Sequence, residues 1–147
     1  MEALLSQEVW HLGFVVRDVE KTINNLRTLL GIKSWTKQVL EPQDATVHGK
    51  AVNHRIKIAM GSFGTLQIEL LQPVKGKTVY DEHLDQRGES FHHIAIRIPE
   101  QKLQEVLVHL QKKGGKIIQT GRVGAGLGYF YIKLKELDLV LELNPTK

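Results

Sequence analysis

The sequence contains no cysteine in 147 residues. That absence excludes a disulfide framework, a thiolate zinc site, an iron–sulfur cluster and a cysteine nucleophile. Any metal held by side chains here must use nitrogen and oxygen donors. No apolar run approaches the ~18 residues of a membrane-spanning helix. The first residues carry Glu2 and Glu8, with no basic stretch ahead of an apolar one, so they do not read as a signal peptide. No membrane partner is expected, and a reducing cytoplasm is the default location. Blocks of five like charges are also missing. The net charge of +4, from 20 basic and 16 acidic side chains, is therefore spread thinly. Despite a pI near 9.3, it calls for no nucleic-acid partner. Hydrophobic residues at 41% and charged residues at 24% are ordinary for a globular protein, and the length suits one domain. What stands out instead is histidine, seven times in a chain without cysteine.

The pattern along the chain is a repeat. Residues 10–16 (WHLGFVV) read as a strand. Asp18 then caps a helix whose apolar face is Ile23, Leu26 and Leu30, and Gly31 stops it. Residues 34–40, 51–60 and 65–72 read as strands, the last ended by Pro73, and polar residues 41–50 read as a loop. From residue 91 the order recurs. FHHIAIRI (91–98) is a strand, Pro99 opens a helix with a stripe of Leu103, Val106, Leu107 and Leu110, and Gly114 stops it. Residues 116–119, 128–134 and 139–143 complete the set. The expected fold is α+β: two tandem βαβββ modules, about 9–74 and 91–146, forming one domain around a curved mixed sheet with helices outside. Segment 75–90 links them and holds a short helix near Thr78–Gln86.

Each module carries one histidine on its first strand and one glutamate on its last: His11 and Glu69, then His93 and Glu142. Side chains alternate across a strand. In every case the polar residue lies opposite an apolar, helix-facing stripe such as Leu12, Phe14 and Val16 or Ile94, Ile96 and Ile98. All four can therefore point into one cup. Two imidazoles and two carboxylates suit zinc, nickel, cobalt or manganese, with room for one or two waters. Small Gly13 and Ala95 beside the histidines leave clearance for a substrate. Hydrogen-bonded pairs without metal are the alternative, but a buried unpaired carboxylate repeated in both modules is costly.

HLGFVVRDVEKT, IELLQP, FHHIAIRI and LVLEL resemble the strand signatures of the vicinal oxygen chelate superfamily, from about Trp10 to Asn144. That superfamily includes glyoxalases, methylmalonyl-CoA epimerases, fosfomycin- and bleomycin-resistance proteins and extradiol dioxygenases. FHHIAI and ELLQP are most similar to the methylmalonyl-CoA epimerase and glyoxalase-like branch. The resemblance places His11, Glu69, His93 and Glu142 on metal-ligand positions and implies a homodimer. It implies proton abstraction next to a carbonyl, with the enolate stabilised by the metal, by an isomerase or lyase. Glu142 is the base, and Glu69 its partner across the metal. A non-catalytic binding protein of the same fold is the alternative, and four ligands argue against an extradiol dioxygenase.

The sequence departs from the epimerase pattern at AVNHRIKIAM (51–60), where Lys57 stands near the place of a second acid. Lys57 is therefore read as binding an anionic substrate, with His54 as an alternative second base or a surface residue; Arg97, which shares the cup parity of His93, either binds the same anion or reaches solvent at the strand end. Parity sends His92 to the face opposite His93. His48, His83 and His109 read as solvated, and glycine-rich 121–128 as a hairpin or lid over the cup.

Overall fold

The computed structural model describes residues 8–147, so Glu2 lies outside the described residues. Strand β1 (Val9–Val15) leads to helix α1 (Val19–Leu30). Asp18 caps that helix by accepting from Lys21 N at 3.0 Å, and Gly31, at φ 70°, takes the left-handed conformation that ends it. Strands β2 (Trp35–Leu40), β3 (Gln43–Val47), β4 (Lys50–Ala51), β5 (Arg55–Phe63) and β6 (Leu66–Lys75) follow. Helix α2 (Val79–Arg87) then starts on a Thr78–Asp81 capping box. Strand β7 (Ser90–Pro99), helix α3 (Leu103–Lys112), β8 (Lys116–Arg122), β9 (Tyr129–Lys133) and β10 (Val140–Thr146) complete the chain. Among the described residues no helix is long and apolar enough to cross a membrane.

The ten strands form one mixed sheet in the order β2-β5-β6-β1-β7-β10-β9-β8-β3-β4. The repeat is visible in that order. β1 and β7 run antiparallel at the centre, and each pairs in parallel with the last strand of its own module, β6 or β10. Helix α1 buries Val19 and Ile23 against Ile68 and Leu70 on one outer face. Helix α3 buries Val106, Leu107 and Leu110 against Ile98, Ile132 and Leu143 on the other. Both helices thus take the apolar stripes, and the opposite face of the sheet is left concave.

Segment 41–50 departs from expectation. It is a hairpin, β3 and β4, that leaves its own module and pairs with β8 of the other. Its sequence lacks strong strand propensity; the partner strand supplies the pairing, with Thr46 and Thr120 hydroxyls 2.7 Å apart and Ala45 buried. Glu41 and Pro42 alone join β2 to β3, although these lie near opposite ends of the sheet order. Three Cα steps span at most about 11 Å. The sheet must therefore roll until its edges approach, which makes a cup. Pro73 does not end its strand either. Pairing of β6 with β1 stops at Leu71, so the missing N–H of Pro73 leaves no ladder bond to β1 unmade. The start of α2 enters the cup and plugs one end, packing Val79 and Tyr80 on Val15, Leu71 and Val140.

Candidate metal centre

Four side chains meet on the concave floor, from four adjacent strands β6, β1, β7 and β10. His11 Nε2 lies 3.1 Å from His93 Nε2, from Glu69 Oε1 and from Glu142 Oε2. His93 Nε2 lies 3.4 Å from Glu69 Oε1 and 3.0 Å from Glu142 Oε2. Each residue is buried, and one donor atom of each lies within 4.8 Å of every other. Strand register does the positioning: Gly13 sits between Glu69 and His93, and Ala95 sits between His11 and Glu142. The structure thus brings together the four residues that alternation aims into the cup.

Simple alternation fails beside each histidine, where β1 and β7 carry a bulge. Val9 pairs with Ile96 but His11 with Ala95, which leaves Trp10 as an extra residue. Gly13 pairs with His93 but Phe14 with Phe91, which leaves His92 as an extra residue. A bulge resets the phase of a strand. Trp10 consequently lines the same cleft as Glu69 and Glu142. His92, expected on the opposite face, brings its Nδ1 to 2.9 Å from His93 Nδ1.

Hydrogen bonding alone does not account for this cluster. His11 Nε2 faces three polar atoms at 3.1 Å and can carry one proton. Glu69 Oε1 remains buried without a hydrogen-bond partner, because the nearby imidazole is not aligned to donate to it. Donors about 2.1 Å from a shared ion stand about 3.0 Å apart at a right angle and about 3.4 Å apart at the tetrahedral angle. The separations that involve a histidine nitrogen, 3.0 to 3.4 Å, cover that interval. The donor set fits a divalent cation of borderline character.

The electrostatics agree. Burial alone would make His11 less basic, but the Glu142 and Glu69 carboxylates outweigh it and push His11 up to about 9. His93 is raised by the same two carboxylates against its own burial. Glu142, although burial opposes its ionisation, is held down to about 2 by His93 and His11, and Glu69 is lowered in the same way. Two buried carboxylates thus call for positive charge at their centre, from protons or from a metal.

Gly13 has a different purpose from the one its size suggested. A Cβ at this position would fall 2.1 Å from His93 Cε1, so the glycine makes room for the imidazole rather than for a substrate. Gly13→Ala is expected to displace His93 and weaken metal binding by about tenfold or more. Chelator competition measures this, and circular dichroism shows whether the fold is kept. Unchanged affinity would mean that the ring position is immaterial.

The cluster opens on a cleft of about 340 Å³. At its plugged end Tyr80 and Tyr131 share a hydroxyl contact of 2.8 Å, and Gln119 Nε2 donates to Tyr129 OH at 3.2 Å. Burial pushes Tyr129 up to about 12 and Tyr80 and Tyr131 well above the usual phenol range, so all three remain neutral phenols. At the other end lie Trp10 and Asn144, whose Nδ2 is buried without a partner. Alternation along β10 puts Asn144 on the same face as Glu142; nothing in the sequence pointed to Tyr80 or Gln119. Glycine-rich 123–128 lines the cleft, as expected of a hairpin over the cup.

Lys57 and Arg97 do not join the site. The cleft-lining residues of β5 are Ile56, Ile58 and Met60, so Lys57, between them in a regular strand, points out. Arg97 is exposed and stacks on the Trp10 ring, 4.4 Å from its centre, at the rim. No cationic side chain lines the cleft among the described residues, and its carboxylates are Glu69 and Glu142. His54 is buried rather than superficial, lies outside the cleft, and is made less basic by burial.

The family model for the glyoxalase/bleomycin resistance protein/dioxygenase superfamily matches residues 10–132. Solved structures share the fold. Methylmalonyl-CoA epimerase from Mycobacterium tuberculosis is similar at TM-score 0.64 and 21% identity, covering 95% of this chain and 88% of that one. A Streptomyces coelicolor methylmalonyl-CoA epimerase variant in complex with 2-nitronate-propionyl-CoA is similar at TM-score 0.63 and 21% identity, covering 92% and 94%. A hypothetical protein from Bacillus halodurans C-125 matches at TM-score 0.60 and 25% identity, covering 97% and 96%. At the epimerases' identities the likeness speaks for the fold. No curated protein matches this chain.

Proposed function

The chain belongs to the glyoxalase/bleomycin resistance protein/dioxygenase superfamily, and from that premise we propose that it is a divalent-metal-dependent isomerase or lyase that removes a proton next to a carbonyl. The observation that carries the reading is the convergence of His11, Glu69, His93 and Glu142 on one buried point beneath a cleft. A cation held by these four residues would supply Lewis-acid polarisation of the substrate carbonyl. Glu142, ionised at neutral pH, accepts the proton from the adjacent carbon. Glu69 faces the centre beside it and is the remaining carboxylate able to act as a second base among the cleft-lining residues. Asn144 and the phenols of Tyr129 and Tyr131 offer neutral donors to substrate oxygens. No cationic side chain among the described residues lines the cleft, so an anionic oxygen at the reacting end would meet positive charge from the cation alone, and an anionic tail stays at the rim, within reach of Arg97.

The test is exchange of the α-proton in D2O, with methylmalonyl-CoA, a hemithioacetal and a keto acid as candidate substrates and zinc, nickel, cobalt or manganese added. Deuterium incorporation that chelator abolishes is the expected result. Absence of exchange in all three classes by metal-loaded protein would leave a binding protein of the same fold. A second expectation concerns protons. His11, raised to about 9, is protonated at neutral pH and must lose its proton to a metal. Apparent affinity should therefore weaken about tenfold per pH unit below about 9 for each proton displaced. Calorimetry in buffers of different ionisation enthalpy counts those protons, and affinity independent of pH over this range would contradict the donor assignment.

A further inference from the structure

His92 is the extra residue of a bulge and has no cross-strand partner on β1. Its ring is buried among His83, Tyr80 and Tyr131, with centroids 5.0, 5.6 and 5.5 Å away. Its Nδ1 faces the Nδ1 of His93 at 2.9 Å. A contact of that length between two ring nitrogens needs one proton between them, donated by one and accepted by the other. If His92 donated, a neutral His93 would carry its own proton on Nε2, the atom that faces His11, Glu69 and Glu142. That tautomer has no lone pair to give to a cation. If His93 donates, its Nε2 lone pair points to the centre and the ring is pinned.

We propose that His92 positions the metal-ligating imidazole of His93, its Nδ1 accepting the Nδ1–H of His93 and holding the Nε2 lone pair on the centre. The proposal rests on the reading of the four donors as a metal site. The two histidine ligands differ in this respect. His11 Nδ1 is buried with no hydrogen-bond partner, and its ring is held by packing against Trp10 at 4.6 Å between centroids. His92 therefore provides the outer hydrogen bond that fixes an imidazole ligand at this centre. Outer partners of this kind raise the basicity of the ligand as well as orienting it. Without the bulge, regular alternation would turn His92 away from His93. The geometry thus also accounts for the bulge lying at this point of β7.

Zinc alone is the probe, measured by chelator competition on the intact protein. His92→Phe keeps a ring but loses the acceptor, and its zinc affinity is expected to fall about 10–100-fold. His92→Asn keeps an acceptor near the position of Nδ1 and is expected to stay within a few-fold of the wild type. Nitrogen-15 NMR of the wild-type zinc protein should show a downfield Nδ1–H on His93 with nitrogen–nitrogen coupling across its hydrogen bond to His92 Nδ1, a signal that a purely structural role would not produce. The wild-type spectrum carries the test even where the phenylalanine variant does not fold. Wild-type zinc binding with unchanged affinity in His92→Phe, or with no Nδ1–H on His93, overturns this proposal and leaves the metal centre standing. Absence of zinc binding by the wild type overturns both.

Discussion

Replacing Glu142 with glutamine is expected to lower α-proton exchange by about 10²–10⁴-fold at saturating metal. The amide keeps the shape and one oxygen donor of the carboxylate but cannot accept a proton from carbon. Saturating metal matters, because losing a negative charge also weakens cation binding. The variant should keep its fold. Glu142 pairs with Ala95 and Tyr131 in the interior of the sheet, and glutamine fits the same space. At neutral pH the variant lacks the stability that ionised Glu142 contributes, and this deficit relative to the wild type should close at low pH, where Glu142 is protonated. That residue is held down to about 2, so its contribution is complete above the ordinary carboxylate range and lost as pH falls toward 2. Exchange at the wild-type rate would remove Glu142 from the proton transfer and turn attention to Glu69, the other carboxylate in the cleft.

Adding zinc, nickel, cobalt or manganese at about one hundred times the dissociation constant should stabilise the wild type by about 2.7 kcal/mol. For a chain of this size that raises Tm by about 5–10 °C. His11→Ala and His93→Ala should each lose most of that shift, and metal content after dialysis should fall with it. The reason is geometric. Each histidine contributes a buried Nε2 within 3.1 Å of two other donors, and alanine leaves a gap that no neighbouring side chain fills. His93→Ala also removes the ring that Gly13 was cut away to admit. Equal metal-induced shifts in wild type and both variants would place the cation elsewhere. Differential scanning fluorimetry with and without each metal decides this directly, without knowledge of the substrate.

The fold was legible where local chemistry and burial agree. Asp18 and Gly31 bracket α1, and Thr78 begins α2, because a cap satisfies free backbone groups whatever the rest of the chain does. The apolar stripes of α1 and α3 were readable for the same reason: their period matches the helix, and the sheet beneath accepts them. Segment 41–50 was not legible. Its strands exist because β8 of the other module lies beside them, and no local pattern announces a partner some seventy residues away. Lys57 was assigned to the cup by alignment to an acidic position. The alternation of Ile56, Ile58 and Met60 into the cleft turns it outward.

By itself the sequence determined which chemistry was available: no thiolate, and one histidine and one glutamate at matching places in two related modules. Alternation along four strands was enough to aim those side chains at one space, since period two follows from the backbone alone. The tertiary structure decided everything that depends on strands meeting in register. It set the separations of 3.0 to 3.4 Å between donors, and it placed the bulges that turn Trp10 and His92 toward the site. It also required a glycine at position 13 for the sake of a ring on another strand. A bulge inserts one residue against a partner strand, so it has no meaning until that partner is in place. The residues of the centre are therefore written in the sequence, whereas the arrangement that brings their donor atoms to one point belongs to the pairing of β1 with β7.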